Sequence, residues 1–429
     1  MQQLRDHGRI SFAQLREDTA ELQVMVSEDC VALGNWRHLV DVGDLVGVTG
    51  EVITTRTGEL TIAATSWTMA AKCLHPLPDK RHGLTDPEAR VRKRHLDLIM
   101  NPDSLRMLQL RSDAVRALRE GFGKRGFTEV ETPMLQAVHG GANARPFITH
   151  INAYDTDLFL RIAPELFLKR LCVGGMGKIF ELNRNFRNEG ADASHNPEFT
   201  SLEAYEPYAD YTTMRELTRE LLLEVATTVF GKPVVMHDGV ELDISGEWPV
   251  LPVHRAVSEA CGTEIGPGTP TEALHALCAG HGIRAGRHQT AGELVLELYD
   301  ELVEPHTELP VFYTDFPVET SPLTRQHRDD PRLAERWDLV AFGTEIGTAY
   351  SELTDPVEQR RRLSEQSLKA AAGDPEAMSL DEDFLSSLEY AMPPTGGLGI
   401  GVDRMVMMLT GQNIRTTLAF PFVRPDPRR

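Results

Sequence analysis

Residues 184–205 concentrate the side chains in this sequence that are best suited to chemistry. Arg187 and Glu189 are two residues apart, so on a strand they would share one face. Glu203 and Tyr205 repeat this spacing after a loop. Two strands joined by that loop would place an arginine, two carboxylates and a phenol in one cleft. The alternative is a surface hairpin with an ion pair, which would contribute only about 0–1 kcal/mol.

A second constellation lies near the C-terminal end of the sequence. Residues 396–404 read GGLGIGVDR and place four glycines before Arg404. Glycines let the backbone approach a ligand closely, and a guanidinium binds phosphate with a planar fork of donors. The alternative is a turn at a helix start with a surface arginine. The sequence has no phosphate-binding loop of the G-x-x-x-x-G-K type and no G-x-G-x-x-G after a strand, so ATP would have to be held in another way.

The elements that position these residues are predicted from periodicity and turn signals. Alternating or β-branched residues predict four short strands and thus a small β-barrel over residues 1–74, followed by a linker over 75–100. From residue 101 a helical period begins, with Asp103 or Ser104 as the N-cap. The predicted strands are 10–15, 21–26, 45–53 and 59–64; the further predicted helices are 212–225 and 355–372; and residues 232–325 are predicted to be a helical insertion in a domain of residues 101–429.

Length and composition narrow the class of protein. A chain of 429 residues with 41% hydrophobic and 25% charged residues is typical of a soluble protein of two domains. Its net charge of −20 argues against non-specific binding of nucleic acid, although residues 90–94 could supply a local basic face or simply a solvated surface. Five dispersed cysteines argue against a zinc site or a disulfide framework. The absence of a signal peptide and of a long apolar run predicts a cytoplasmic protein without a membrane-spanning segment.

Three segments together resemble the signature motifs of class II aminoacyl-tRNA synthetases. Shorter segments, among them residues 145–150, 162–166 and 195–200, resemble the lysyl branch of subclass IIb, and residues 345–359 are most similar to the synthetase half of actinobacterial lysylphosphatidylglycerol synthases. The three motifs are 126–133 (GFTEVETP), 186–189 (FRNE) with the loop that follows, and 397–404 (GLGIGVDR).

This resemblance implies an α+β fold. The expected architecture is a class II antiparallel sheet with flanking helices, preceded by an incomplete, N-terminally shortened β-barrel of the OB type that binds the anticodon. The implied activity is that of a lysine–tRNA ligase, which uses ATP and Mg²⁺ to form lysyl-adenylate and transfers lysine to tRNA(Lys). The first motif implies a homodimer.

The resemblance also implies roles for individual residues. Arg187 and Arg404 would be catalytic, with Arg187 bridging the carboxylate of lysine and the α-phosphate. Asp338 and Glu345 would bind Mg²⁺. The remaining ATP-binding residues would be Glu189, His195, Asn196 and Phe199, and the remaining lysine-binding residues would be Glu165, Glu203, Tyr205, Thr348, Tyr350, Glu352 and Gly399.

Acidic residues in the amino-acid pocket would explain the choice of lysine. A buried acid without its cation costs on the order of 3–5 kcal/mol, so such a site rejects analogues that lack the charged group. Two other hypotheses remain open. The activated lysine might serve another acceptor, such as a lipid (through lysyl-tRNA), a peptide or a protein lysine. Alternatively, the chain could be a regulator built on an inactive synthetase fold, which the intact Arg187, Glu189, Glu345 and Arg404 argue against.

Overall fold

The computed structural model describes residues 1–18, 20–28, 33–78, 83–286, 288–371, 373–374 and 376–425. Cys30 and residues 79–82 of the predicted linker lie outside these ranges. The chain divides into two compact units, Met1–Arg106 and Met107–Arg429.

The first unit is built on a five-stranded sheet with the strand order β1-β2-β3-β5-β4. In the described residues no ladder joins β1 to β4, so the sheet is open, as predicted for an incomplete barrel. Trp36 fills the core and packs edge-on against Trp67. The four predicted strands are present, whereas the first strand and the first helix were not predicted. The elements are β1 (Gln3–His7), β2 (Ile10–Glu17), β3 (Ala20–Ser27), α1 (Leu33–Leu39), β4 (Leu45–Thr54) and β5 (Leu60–Ala71).

The predicted linker contains two short helices, α2 (Pro87–Arg92) and α3 (Arg94–Met100). Their arginines are engaged within the first unit: Arg90 and Arg94 both bind the buried Asp97, at 2.7 Å each. Arg92 also pairs with Glu88, at 2.8 Å. Three of the four cations of residues 90–94 thus have acidic partners close by, and the proposed basic face stays a prediction.

The second unit centres on an eight-stranded, mainly antiparallel sheet with the order β14-β15-β16-β17-β18-β11-β10-β6. Its strands are β6 (Thr128–Glu129), β10 (Ile179–Phe186), β11 (Glu198–Pro207), β14 (Val250–Pro252), β15 (Val311–Pro317), β16 (Leu333–Ala341), β17 (Thr344–Ser351) and β18 (Thr395–Gly401). The smaller strands are β7 (Leu135–Gln136), β8 (Phe147–Ile151) and β9 (Thr156–Leu160) in one sheet, and β12 (Val234–His237) and β13 (Val240–Asp243) in another. The helices are α4 (Pro102–Lys124), α5 (Glu165–Val173), α6 (Tyr211–Phe230), α7 (Val253–Cys261), α8 (Thr271–Gly280), α9 (Ala291–Leu302), α10 (Pro356–Ala371), α11 (Glu382–Leu388), α12 (Val402–Thr410) and α13 (Ile414–Thr417).

Local sequence explains where the long helices begin and end. The side chain of Asp210 accepts hydrogen bonds from the backbone N–H groups of Thr212 and Thr213 and so caps α6. Gly231, with φ of 75°, ends that helix in the left-handed region. Helix α4 begins at Pro102, so Asp103 and Ser104 lie inside its first turn and neither is the predicted N-cap.

The segment predicted as a helical insertion, residues 232–325, contains α7, α8 and α9. It also contains β14 and β15, which pair with each other and extend the main sheet along β16. The helices pack around a core shared with β15, in which Tyr313 and Phe316 are buried. This segment is therefore a structural part of the sheet at one edge.

Candidate active site

A cavity of about 200 Å³ opens against the middle of the main sheet, where β10, β11, β18 and β17 lie side by side. Every predicted site residue except Asp338 lines it. The antiparallel pairing of β10 with β11 and of β11 with β18 brings the second and third motifs together. Residues about 200 positions apart in the sequence thus share one pocket.

Four side chains form the acidic end of the cavity. Glu203 and Tyr205 lie on the same face of β11, and the Tyr205 hydroxyl donates to Glu203 at 3.2 Å. Glu165 begins α5, and Glu352 follows the end of β17. Three carboxylates therefore converge on one small space, as the sequence predicted for Glu203 and as the resemblance implied for the other two.

Burial shifts the ionisation of these acids. It raises the pKa of Glu203 well above its usual range, and the neighbouring Glu165 and Glu181 reinforce this shift. Burial also raises the pKa of Glu165 and of Glu352, against the opposing attraction of Lys169. Burial thus favours the neutral form of each acid, and a positively charged ligand group would favour the ionised form.

Sequence reasoning missed Lys169, which lies behind this acidic end and is completely buried. Its Nζ is 2.7 Å from Glu165 Oε1 and 2.5 Å from Glu352 Oε2. The available signal was the i,i+4 spacing of Glu165 and Lys169, which is most often an exposed ion pair on a helix.

A second buried ion pair joins Arg161 to Glu181, a residue of β10. Arg161 donates to Glu181 at 2.6 Å and to the backbone carbonyl of Thr132 at 3.1 Å, while the Thr132 hydroxyl donates to the other oxygen of Glu181. Glu181 is the cross-strand partner of Glu203. Through Thr132, the first motif is thus hydrogen-bonded to β10, the strand that pairs with β11 and its Glu203.

The opposite end of the cavity is basic and aromatic. Arg187 and Glu189 lie in the loop that follows β10, not on the strand as predicted, because β10 ends at Phe186. Both still line the pocket, since the Arg187 N–H donates to the carbonyl of Pro197 and so continues the pairing with the returning chain. The Arg187 guanidinium lies 5.1 Å from the centre of the Phe199 ring.

Arg404 projects from the first turn of α12, directly after the glycine-rich strand β18. It donates to the carbonyl of Glu345 at 3.0 Å and to His195 Nε2 at 3.2 Å. Because Nε2 accepts this bond, we assign the His195 proton to Nδ1, which faces Asp192 at 3.0 Å. Partial burial would raise the pKa of Asp192, but hydrogen bonds from Ser194 and His195 lower it to about 2.

Asn196 connects this loop to the C-terminal segment. Its side-chain oxygen accepts from the N–H of Phe422 at 2.9 Å, and its amide donates to the carbonyl of Glu198. Thr348 and Tyr350 line the wall between the two ends of the pocket, on β17.

The two carboxylates predicted to bind a metal differ in their surroundings. Glu345 lines the cavity, and its carboxylate is 3.8 Å from Arg404. Asp338 is buried on β16, where Arg336 binds both of its oxygens, at 3.0 and 2.6 Å, and Thr348 donates to one of them at 2.6 Å. In the described residues no group of three or more His, Cys, Asp or Glu side chains has the arrangement of a metal site.

Two glycines of β18 shape the pocket in different ways. A Cβ at Gly397 would overlap Glu352 Oε1 and lie 2.9 Å from Tyr205 Cε1. A Cβ at Gly399 would make only ordinary contacts, 3.9 Å from Thr348 Cγ2 and 4.0 Å from Glu203 Cγ. Gly397 is therefore required by the protein itself, which the sequence-based prediction overlooked, whereas Gly399 leaves space for a ligand.

We expect Gly399→Ala and Gly397→Ala to separate these effects. Gly399→Ala should leave the free energy of unfolding within about 1 kcal/mol of wild type, because its new methyl group meets no tight contact. It should nevertheless weaken ligand binding, since the methyl group enters the cavity. Gly397→Ala should destabilise the protein by about 1–3 kcal/mol through overpacking. Denaturant unfolding and ligand titration of both variants measure the difference; equal stability of the two would contradict this assignment.

Both units of the chain are similar to known protein families. Residues 86–424 match the family model of the class II tRNA synthetases (D, K and N), and residues 1–70 match that of the OB-fold nucleic acid binding domain. The chain belongs to the class II tRNA synthetases. The antiparallel sheet with flanking helices and the N-terminal OB-type sheet agree with that family.

Curated relatives are similar over nearly the whole chain. The proteins named lysylphosphatidylglycerol biosynthesis bifunctional protein LysX from Gordonia bronchialis and Nocardia farcinica are each 57% identical to it. The alignments cover 98% of this chain but 38% of each relative. The protein of the same name from Mycobacterium avium is 56% identical, with 98% of this chain and 36% of the relative covered. The chain thus spans somewhat more than a third of the length of these relatives.

None of the helices in the described ranges combines the length and the apolar character that a membrane span requires.

Proposed function

We propose that this chain activates L-lysine with ATP and transfers it to tRNA(Lys). The observation that carries the proposal is the polarity of the cavity, which has three converging carboxylates at one end and Arg187 at the other. An amino acid with a second, terminal ammonium group complements this arrangement, and the positive charge of that group would relieve the burial of the acids. An aspartate ligand would instead need a cationic pocket.

In the proposed complex, Glu203 and Glu352 bind the ε-ammonium of lysine and Glu165 binds the α-ammonium. Tyr205, Tyr350, Thr348 and Gly399 form the walls. The carboxylate then points towards Arg187, where an oxygen of lysine attacks the α-phosphorus of ATP and the bond to pyrophosphate breaks. The contribution of the protein to this step is positioning and neutralisation of charge.

The basic end is proposed to hold ATP. Phe199 offers a ring for the adenine, which Arg404 would cover from the other side, and Glu189 would accept from the adenine amino group. Arg404 would also bind the γ-phosphate, with His195 and Asn196 beside the triphosphate. The contact between Arg404 and His195, at 3.2 Å, already places two of these groups side by side.

Glu345 fits the role of a magnesium ligand, because its carboxylate lines the cavity next to the proposed phosphate site. Mg²⁺ prefers one or two carboxylates together with phosphate oxygens, and there it would neutralise charge on the phosphates. Asp338, the other predicted ligand, is held on both oxygens by Arg336. Binding of a metal by Asp338 would require that pair to open.

Recognition of tRNA is proposed for the sheet of the first unit. A groove there is lined by Arg5, Phe12, Gln23 and Glu59. An aromatic ring among polar side chains suits unstacked bases, which stack on rings and are read at their edges.

A homodimer is proposed from apolar residues that follow the first motif. Met134, Leu135 and Ile148 expose 46%, 49% and 68% of their surface. A second copy of the chain would remove this apolar surface from water.

The direct test is incubation with ATP, Mg²⁺, labelled lysine and total tRNA, with label counted in acid-precipitable RNA. We expect charging that requires both ATP and tRNA and that disappears after treatment with ribonuclease. If no label enters RNA while lysine-dependent pyrophosphate exchange persists, the proposed acceptor is wrong and the activation step stands.

A second candidate acceptor is suggested by the relatives, whose names refer to lysylphosphatidylglycerol biosynthesis. In that case the product of this chain would supply the lysine that is attached to a lipid. Lysyl-tRNA made by this chain would serve as the donor when a lipid-transferring protein and phosphatidylglycerol vesicles are added.

The affinity for lysine should rise as the pH increases from about 5 to about 8. Burial raises the pKa of Glu352 to about 8 and that of Glu203 well above its usual range, although Lys169 opposes the shift at Glu352. A protonated acid cannot pair with an ammonium group, so these protons must leave when lysine binds, while the ε-ammonium keeps its charge with a usual pKa of about 10.4. Calorimetric titrations in buffers of different ionisation enthalpy should show proton release; a pH-independent affinity without it would contradict this expectation.

A further inference from the structure

We propose that Lys169 is a positioning residue that holds Glu165 and Glu352 and sets the charge of the acidic end at two negative units, so that the pocket selects a ligand with two ammonium groups. The identity of that ligand as lysine rests on the proposed function. The role of Lys169 is a separate claim, because it concerns the orientation of two acids and the charge of the site once all three acids are ionised.

The ammonium group of Lys169 is held by three oxygen atoms. Its Nζ donates to Glu165 Oε1 at 2.7 Å and to the carbonyl of Leu323 at 3.5 Å, and it forms an ion pair with Glu352 Oε2 at 2.5 Å. The side chain is completely buried and does not line the cavity. Lys169 therefore acts on a ligand only through the two glutamates that it touches.

The contacts of Lys169 leave part of each acid available to a ligand. Glu352 is 2% exposed, and neither of its carboxylate oxygens has a hydrogen-bond partner in the described part of the chain, although Oε2 is paired with the charge of Lys169. A buried oxygen without a hydrogen-bond donor is unfavourable until a donor reaches it. Since Lys169 binds one oxygen of Glu352 and one of Glu165, it orients both carboxylates while the second oxygen of each remains for the ligand.

The net charge of the acidic end indicates how many ammonium groups of a ligand it can neutralise. With all three acids ionised, Glu165, Glu203 and Glu352 carry three negative charges and Lys169 carries one positive charge, which leaves two negative units. Glu203 contributes to the surplus, because the group that donates a hydrogen bond to it within the described residues is the neutral Tyr205 hydroxyl. Lysine brings two ammonium groups to this end, and its carboxylate faces Arg187 at the other.

The competing explanation is that Lys169 only fills space in the core beneath α5. Methionine has a similar unbranched side chain without the charge, so Lys169→Met tests the charge. Under the proposal, Lys169→Met leaves the acidic end at three negative units, Glu352→Gln leaves it at one, and the double variant returns it to two.

We expect a pattern of reciprocal rescue. Each single variant should raise the Kd for L-lysine about 100-fold, and the double variant should bind lysine at least tenfold more tightly than Lys169→Met. The Kd for a non-hydrolysable ATP analogue should stay within twofold of wild type in all three, because Arg404 and Phe199 are untouched. Isothermal titration with each ligand measures both quantities.

Loss of a core lysine with a purely structural role would not be repaired by a second substitution in the pocket. A double variant that binds lysine no better than Lys169→Met, while the ATP analogue binds normally, would overturn the proposal. If Lys169→Met does not fold, the comparison is made between the double variant and Glu352→Gln. The double variant must then bind lysine more tightly; weaker binding would contradict the charge count.

Lys369→Met is the matched control, since Lys369 pairs with Glu293 at 2.6 Å on the partly exposed surface and outside the cavity. It should leave both Kd values unchanged. Different results would contradict the proposed function and the proposed role of Lys169. The proposed function would be refuted if the wild-type protein did not bind lysine even with the ATP analogue present. Wild-type binding without rescue in the double variant would refute only the role of Lys169.

Discussion

Arg187→Ala should lower lysine-dependent ATP–pyrophosphate exchange about a thousandfold. Arg187 lies between the acidic end of the cavity and the proposed phosphate site, so it is the one residue proposed to contact both reacting groups. Removing a preorganised donor aimed at developing charge typically lowers a rate 10²- to 10³-fold, and loss of a full charge belongs at the upper end of that range. Exchange of labelled pyrophosphate into ATP, measured with and without lysine, gives the ratio directly.

The control for this experiment is Arg255→Ala. Arg255 is an exposed arginine on α7 that pairs with Glu259 at 2.8 Å, far from the cavity lining. An exposed i,i+4 pair contributes only about 0.3–0.5 kcal/mol, so exchange should be unchanged. If Arg187→Ala retained more than a tenth of the wild-type exchange, its proposed contact with both reacting groups would be wrong.

Glu203→Gln should weaken the binding of lysine about 10²- to 10³-fold while the protein stays as stable as wild type or becomes slightly more stable. Glutamine keeps the shape and can still accept from Tyr205, but it cannot neutralise an ammonium group. Because burial and neighbouring acids raise the pKa of Glu203, its charge is unfavourable in the empty protein, and removing it breaks none of the ion pairs found among the described residues. Lysine titration together with thermal unfolding measures both effects.

Glu206→Gln provides the comparison for Glu203. Glu206 lies three residues further along β11, outside the cavity lining, and pairs with Lys178 at 2.6 Å. Its loss should leave lysine affinity unchanged. The discrimination between lysine and norleucine, which lacks the ε-ammonium, should shrink in Glu203→Gln and persist in Glu206→Gln. Unchanged discrimination in Glu203→Gln would place the ε-ammonium elsewhere.

The residues that line the cavity were largely predictable from sequence because short motifs carry them. The family resemblance pointed to the second and third motifs, and the pairing of β10, β11 and β18 brings those motifs together. The error at Arg187 and Glu189 arose because a spacing of two residues indicates a common face on any extended chain. It does not show that β10 ends at Phe186.

The groups behind the cavity were not predictable in this way. Lys169, Arg161 and Arg336 are long cationic side chains, which composition and periodicity assign to the solvent. Lys169 and Arg161 are instead paired with Glu352 and Glu181, which become their neighbours only when strands and helices assemble. Arg336 pairs with Asp338, two residues further along β16. The residue type of Asp338 suits a metal, but the prediction of a metal ligand did not take into account that Arg336, two residues earlier, would share its face of β16.

Two strands of the main sheet, β14 and β15, were also not predicted from the sequence. Residues 232–325 lack strong periodicity, but β14 and β15 complete one edge of the main sheet. β14 has only three residues and gave little sign of strand character, and its pairing with β15 supplies the stabilisation that so short a segment lacks. β15 has the β-branched and aromatic residues typical of a strand, which the prediction of a helical insertion overlooked.

The measurement that tests the central claim most directly is ATP–pyrophosphate exchange by the wild-type chain with each of the standard amino acids and without tRNA. The account predicts exchange that depends on lysine and exceeds that with aspartate, asparagine or arginine by about 10³-fold or more. Absence of lysine-dependent exchange, or equal exchange with aspartate, would contradict the assignment of the three carboxylates to a lysine-activating site.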